Sequence, residues 1–160
     1  PNASTVNAIK NSSFIDNQAT AGAGISGYNS TIIGMTNNLF SENTATDSFA
    51  DCHVISSVQL MGSNNLSSQN DSNCNGVDIS GILDASLIDA IADNGCTTPL
   101  PDGSCVLTHA LMSARFAIDA GDSNATTTDQ REFMAMGQRD VGAFEFGAAG
   151  DLIFKNSFEN

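Results

Sequence analysis

Apolar residues return at a fixed interval through the first half of the chain. Phe14, Phe40 and Leu66 stand 26 residues apart, as do Ile9, Met35 and Met61, and again Val6, Ile32 and Val58. Polar positions keep the same step: Asn11, Asn37 and Ser63, then Asn17, Asn43 and Gln69. A period of this length marks stacked supersecondary units, none of which buries its apolar face alone. The units are built from Asn, Ser, Thr, Gly and β-branched residues, which suit strands and turns and disfavour helix interiors. Segments 30–35 and 56–61 are strand candidates between Gly, Asn and Ser clusters.

The pattern predicts an all-β chain whose residues 1–77 wind as the coils of a parallel β-helix, a solenoid of 26 residues per coil. Adjacent coils would lie about 4.8 Å apart, so positions 9, 35 and 61 form one buried row and 14, 40 and 66 another. Asn11 and Asn37 share the inward parity of Ile9 and Met35, and their amides stack as a ladder at a bend, with Ser63 continuing it less well. Positions 6 and 9 differ by an odd number, so one flat strand cannot turn both inward and a bend falls between them.

The composition changes near Asp78. Residues 78–146 are expected to form the last coil and an irregular C-terminal cap, because a bare last coil exposes a strand edge. Leu83, Leu87, Ile88 and Ile91 are spaced for a short amphipathic helix with Asn94-Gly95 as its stop, an alternative to an irregular segment with short strands. Ile118, Val141 and Phe144 supply further apolar plugs, and 147–160 is a tail. Pro1-Asn2-Ala3-Ser4 carries neither a charged n-region nor an apolar h-region, and the longest apolar runs are a few residues. Neither a signal peptide nor a transmembrane helix is therefore read. The chain begins inside a repeating unit and reads as the C-terminal portion of something longer.

Charge narrows the partners. Five Lys and Arg against eighteen Asp and Glu give a net charge of −13, which makes nucleic acid and anionic membrane poor partners. Four cysteines, Cys52, Cys74, Cys96 and Cys105, allow three pairings. The local one, Cys52 with Cys74 and Cys96 with Cys105, is preferred because each pair brackets a compact loop. An even cysteine count in a Lys-poor, Asn/Ser/Thr-rich repeat fits an oxidising, exported setting. Zinc is disfavoured: there is no Cys-x-x-Cys, and the histidines are His53 and His109.

Phe14-Ile15-Asp16-Asn17, Gly22-Ala23-Gly24-Ile25 and Phe40-Ser41-Glu42-Asn43 resemble the Phe-x-x-Asn and Gly-Gly-Ala-Ile elements of polymorphic outer membrane protein repeats. In the second half come Ala92-Asp93-Asn94-Gly95, Thr108-His109-Ala110-Leu111, Ala117-Ile118-Asp119-Ala120-Gly121-Asp122, Asp129-Gln130-Arg131 and Asp140-Val141-Gly142-Ala143-Phe144-Glu145. Their order and spacing are similar to those of the choice-of-anchor Q domain. That resemblance implies the closing portion of an exported bacterial right-handed, pectin-lyase-like β-helix, and it covers about residues 50–146. Arg115-Phe116 stands where the family has Ser-Pro, Gly95-Cys96 where it has Gly-Gly, and Cys96 to Cys105 looks like an insertion. Residues 151–159 resemble the Ile-Phe-x-x-Gly-Phe-Glu endings of exported proteins, with Asn156-Ser157 departing, which would make the tail a sorting signal.

Candidate chemistry is sparse. Asp16 and Glu42 are one period apart, which would set their carboxylates about 5 Å apart, the separation of a retaining glycosidase pair. A solvated acidic turn is the plainer reading, because Ser68 breaks the row and no apolar wall would tune either group. β-Helix lyases, which the resemblance brings in, use Ca²⁺ carboxylates and a basic proton acceptor. Here Lys10 is the one basic residue of the repeats, and Arg115, Arg131 and Arg139 lie in the second half. Asp119, Asp122, Asp129, Asp140 and Glu145 are dense enough to hold Ca²⁺, but the arginines among them favour an ion-pair and turn network that fixes the cap. His109 and His53 read as packed, structural histidines.

Two functions follow. The favoured one is a non-catalytic structural or adhesive segment on the bacterial cell surface or outside it, meeting an extracellular glycan or a neighbouring cell. The alternative is the C-terminal part of a polysaccharide lyase or glycoside hydrolase with its catalytic coils upstream. Zero Trp and one Tyr, Tyr28, leave almost no stacking platform for sugar rings and favour the first.

Overall fold

The computed structural model describes residues 4–32, 34–55, 61–69, 72–73, 77–82, 84–112, 116–122, 124 and 126–148. The bend expected after Val6 is present. Strand β1 (Ser4–Val6) and β2 (Ile9–Lys10) belong to different sheets. They are followed by β3 (Ser13–Ile15), β4 (Gln18–Ala21), β5 (Ile25–Tyr28), β6 (Ser30–Ile32), β7 (Gly34–Thr36), β8 (Leu39–Ser41), β9 (Thr44–Ser48) and β10 (Cys52–Ile55). Then come β11 (Met61–Ser67), β12 (Val77–Ile82), β13 (Ile88–Ala92) and β14 (Thr108–Leu111).

The chain is all-β, as expected, but the right-handed parallel β-helix solenoid with its C-terminal cap is not what it forms. The described strands gather into small separate sheets: β1 with β6, β4 with β9, β5 with β10, β13 with β14, and one parallel sheet in the order β2-β7-β11-β8-β3, with β12 added to β11. The interval between partners is 26 at first, as in Ile9 opposite Met35 and Phe14 opposite Phe40. It becomes 27 (52 − 25, 66 − 39) for Ile25 opposite Cys52 and Leu39 opposite Leu66. Between β11 and β12 it falls to 15 (77 − 62) at Gly62 opposite Val77. After that, β13 and β14 pair antiparallel. A uniform coil requires one interval and one strand direction, and this chain keeps neither.

The slip from 26 to 27 has a single origin. In the β4/β9 pair, Gln18 and Ala19 oppose Thr44 and Ala45, but Ala21 opposes Ser48. Two residues, Thr46 and Asp47, thus face Thr20 alone, a β-bulge that adds one residue to the second unit. Because side chains alternate, a one-residue offset reverses which face each later residue takes. Leu66 therefore sits opposite Leu39, and Met61 opposite Gly34, rather than continuing the rows of Phe40 and Met35.

Two apolar clusters result. Met35, Phe40, Ile25, Cys52 and Val54 form one, joined by Ile9 and Phe14. The Phe14 and Phe40 rings stack 5.1 Å apart and 11° from parallel, so the expected row holds for its first two members. Leu39 and Leu66 belong to the other cluster, with Leu111, Ala117, Val141 and Phe144. Strand β8 is consequently buried on both faces. Of the two alternatives around Leu87, the amphipathic helix does not form; a short 3-10 turn, Ala85–Leu87, runs into the short strand β13. Asp84 caps that turn by accepting from the Ser86 N–H.

Candidate functional site

The Asn11/Asn37 ladder exists, and its backbone explains why Asn occupies it. Asn11, Asn37 and Asn64 have φ of 48°, 58° and 57°, a left-handed conformation that Asn tolerates better than other side chains. Asn37 Nδ2 donates to Asn11 Oδ1 at 3.1 Å. The third position is Asn64 rather than the expected Ser63, again through the bulge. Two further ladders run alongside, Asn38 to Asn65 at 2.9 Å and Asn17 to Asn43 at 3.0 Å, each also bonded to backbone carbonyls such as Met35 O and Phe14 O.

The C-terminal segment lies across these corners. Asn11 Nδ2 donates to Thr126 Oγ1, Asn37 Oδ1 accepts from the Asp122 N–H, and Asn64 Nδ2 donates to Ala120 O. The Gly142 N–H donates to Asn37 O, and the Ala143 N–H donates to Ser13 Oγ at 3.0 Å. Gly142 sits at φ 105°, and a Cβ there would meet Ser13 Oγ at 2.8 Å and Leu39 Cβ at 3.2 Å, so only glycine allows this approach.

Beneath the crossing lies a buried charge network. Arg131, 1% exposed, donates from Nε to Asp129 Oδ2 at 2.8 Å and from Nη2 to Glu145 O. Its guanidinium lies 3.7 Å from the centre of the Phe144 ring. Asp129 also accepts from the N–H groups of Arg131, Phe133 and Glu145. Arg139 Nη1 pairs with Glu145 Oε2 at 2.7 Å, and the same oxygen accepts from the Asp140 N–H. Asp140 accepts from the N–H groups of Asp119 and Phe146. Burial pushes the Asp140 and Glu145 carboxyls above their ordinary values; backbone hydrogen bonds and the Arg139 charge act in the opposite direction.

These contacts place the residues weighed as calcium ligands, and Asp129 and Glu145 meet arginines, as the favoured ion-pair reading has it. Asp129, Asp140 and Glu145 lie in the network, occupied by arginines and backbone donors. Asp122 closes a turn by accepting from the Asn124 N–H and side chain, and Asp119 is exposed. Among the described residues no group of three or more Asp, Glu, His or Cys is arranged to hold a metal ion. Asp16 and Glu42 are exposed at left-handed corners, φ 55° and 52°, following β3 and β8. The Asp16 N–H donates to Ser41 O, and the Glu42 N–H to Ser68 Oγ. His109 is half-buried with Nδ1 2.9 Å from Asp89 O, and the His53 ring lies 5.5 Å from that of Phe49.

Cys96 and Cys105 form a disulfide closing the Pro-Leu-Pro-Asp-Gly loop, which fits an oxidising environment. Cys52 is fully buried and disulfide-bonded. The expected pairing with Cys74 falls on a residue outside those described, as do Val58, Arg115 and the proposed sorting signal of 151–159. No helix among the described residues is long and apolar enough to cross a membrane.

What the sequence did not single out is the cleft beside the crossing, ≈ 560 Å³, between the Lys10–Ser13 stretch and residues 126–143. Arg139 lines it. Its signal was present only as two basic residues, Lys10 and Arg139, separated by more than a hundred positions. No family model, no curated protein and no solved structure matches the chain, so the resemblance to the choice-of-anchor Q domain rests on sequence motifs alone.

Proposed function

We propose that this chain is a non-catalytic structural or adhesive segment working outside the cell. The observation that carries this reading is the occupation of its ionisable groups. Arg131 and Arg139 are buried and paired with Asp129 and Glu145 behind the crossing of the C-terminal segment, where they hold loops together. Such buried pairs specify a geometry more than they add net stability. Asp16 and Glu42 are exposed at left-handed corners that follow β3 and β8. Tyr28 is the only Tyr, and the chain has no Trp to stack on sugar rings. The disulfide supports an extracellular or cell-surface location.

The test is an activity panel on purified residues 1–160 with pectins, alginates and neutral glycans, with and without Ca²⁺. No turnover is expected. Turnover that disappears in Asp16→Ala or Glu42→Ala would overturn the reading, as would Ca²⁺-dependent turnover lost on substituting Asp119 or Asp122.

A further inference from the structure

Arg139 is 4% exposed, and its Nη1 is taken by Glu145, but its Nε and Nη2 are buried without a hydrogen-bond partner among the described residues. These two N–H groups lie on the same edge of the planar guanidinium and point the same way, a fork that matches two oxygens of one oxyanion. A buried charged donor without an acceptor is costly, so the edge has a strong demand for one. Arg139 lines the ≈ 560 Å³ cleft, which is large enough to take the molecule that carries such a group. Lys10 stands on the same cleft, exposed and without an ion pair among the described residues. Ser13 Oγ accepts from the Ala143 N–H and keeps its own hydrogen to donate, and the Thr128 hydroxyl makes no hydrogen bond among the described residues. Asp129 also lines the cleft, but its oxygens are filled by Arg131 and by three backbone N–H groups.

We propose that this cleft binds a small carboxylate or sulfate, gripped by the Nε/Nη2 edge of Arg139, with Lys10 as a second cation and Ser13 and Thr128 as hydroxyl donors. Because the fork is buried, binding shifts the guanidinium or the wall that covers it. The inference goes beyond the scaffold reading and does not depend on it, since a binding site serves a non-catalytic protein equally well.

The experiment is an NMR titration of the 160-residue chain at constant ionic strength, with sodium sulfate, sodium glucuronate and glucose as separate arms. At least one anion should give saturable shifts at Ser13, Thr128 and the Arg139 Nε–H, and glucose should give none. Which anion saturates first distinguishes a sulfate from a carboxylate ligand. Lys10→Gln should weaken binding about threefold, as the loss of an exposed ion pair allows. Arg139→Lys, which keeps the charge and loses the fork, should weaken it about tenfold or more. Should Arg139→Lys fail to fold, the Arg139 Nε–H shift and the Lys10 variant still decide. Absence of saturation by either anion, equal shifts with glucose, or shifts unchanged by Lys10→Gln and absent from the Arg139 Nε–H would each overturn the proposal.

Discussion

Replacing Arg131 by Met keeps much of the side-chain volume and removes the charge at the centre of the buried network. Asp129 is then left in the interior without its guanidinium, and Asn94 O and Glu145 O lose a donor at 3.3 and 2.8 Å. The stacking of the cation on Phe144 is lost as well. Removing one partner of a buried ion pair costs about 3 to 5 kcal/mol. Asp129 keeps three backbone N–H donors, which argues for the lower end of that range. Against a total stability of about 5 to 15 kcal/mol, this is a large loss. Urea unfolding at neutral pH measures it, provided the slope with denaturant is unchanged between variants. Asp129→Asn on its own should also be costly, because it takes away the carboxylate charge that the Arg131 guanidinium meets in the interior. The double variant should cost less than the sum of the singles by about 1 to 3 kcal/mol. A loss below about 1 kcal/mol for Arg131→Met, or strict additivity, would refute the claim that this pair holds the crossing.

Phe40→Ala should destabilise by about 3 to 5 kcal/mol, since the ring is fully buried and stacked on Phe14; a loss under about 1 kcal/mol in the same unfolding assay would contradict that packing. Glu42→Asn should stabilise by about 0.5 to 1 kcal/mol, because Asn accepts the left-handed corner at φ 52° more readily than Glu; a fall in stability would refute the strain. The raised carboxyls of Asp140 and Glu145 favour the protonated form in the fold. Their contribution is therefore fully present below the ordinary values of 3.8 and 4.5 and is lost as pH rises through the folded values. Glu145→Gln should flatten the decline in stability from pH 4.5 towards neutrality, and an unchanged slope would point away from this group.

The 26-residue step located Phe14 opposite Phe40 and the Asn11/Asn37 ladder because both lie before the bulge at Thr46 and Asp47. Leu66, Met61 and Ser63 were misplaced by that one inserted residue, which no periodicity search weights as a change of face. The segment around Leu87 and Ile88 carried a 3.6-residue apolar spacing, yet pairing of Ile88 with Leu111 overrode it. The second core was legible only in part. Val141 and Phe144 were read as apolar plugs, but no period ties them, or Leu111 of β14 and Ala117, to Leu39 and Leu66. The carboxylates and arginines of the C-terminal half were visible as a cluster, but which acid meets which arginine depends on loop paths that only the fold defines.

Asn11, Asn37 and Asn64 are spaced 26 and 27 residues apart, and Thr126, Asp122 and Ala120 of the later chain bond to them in turn. Those later residues act as a gauge. They fit only if the second unit has taken its extra residue at the bulge, for otherwise Ser63 would stand where Asn64 must donate to Ala120 O. Contacts such as Ser13 with Ala143, 130 positions apart, close only after nearly all of the described chain is available. Long-range closure of this kind slows folding, so the first units should stay open to register exchange until the last residues arrive to lock them.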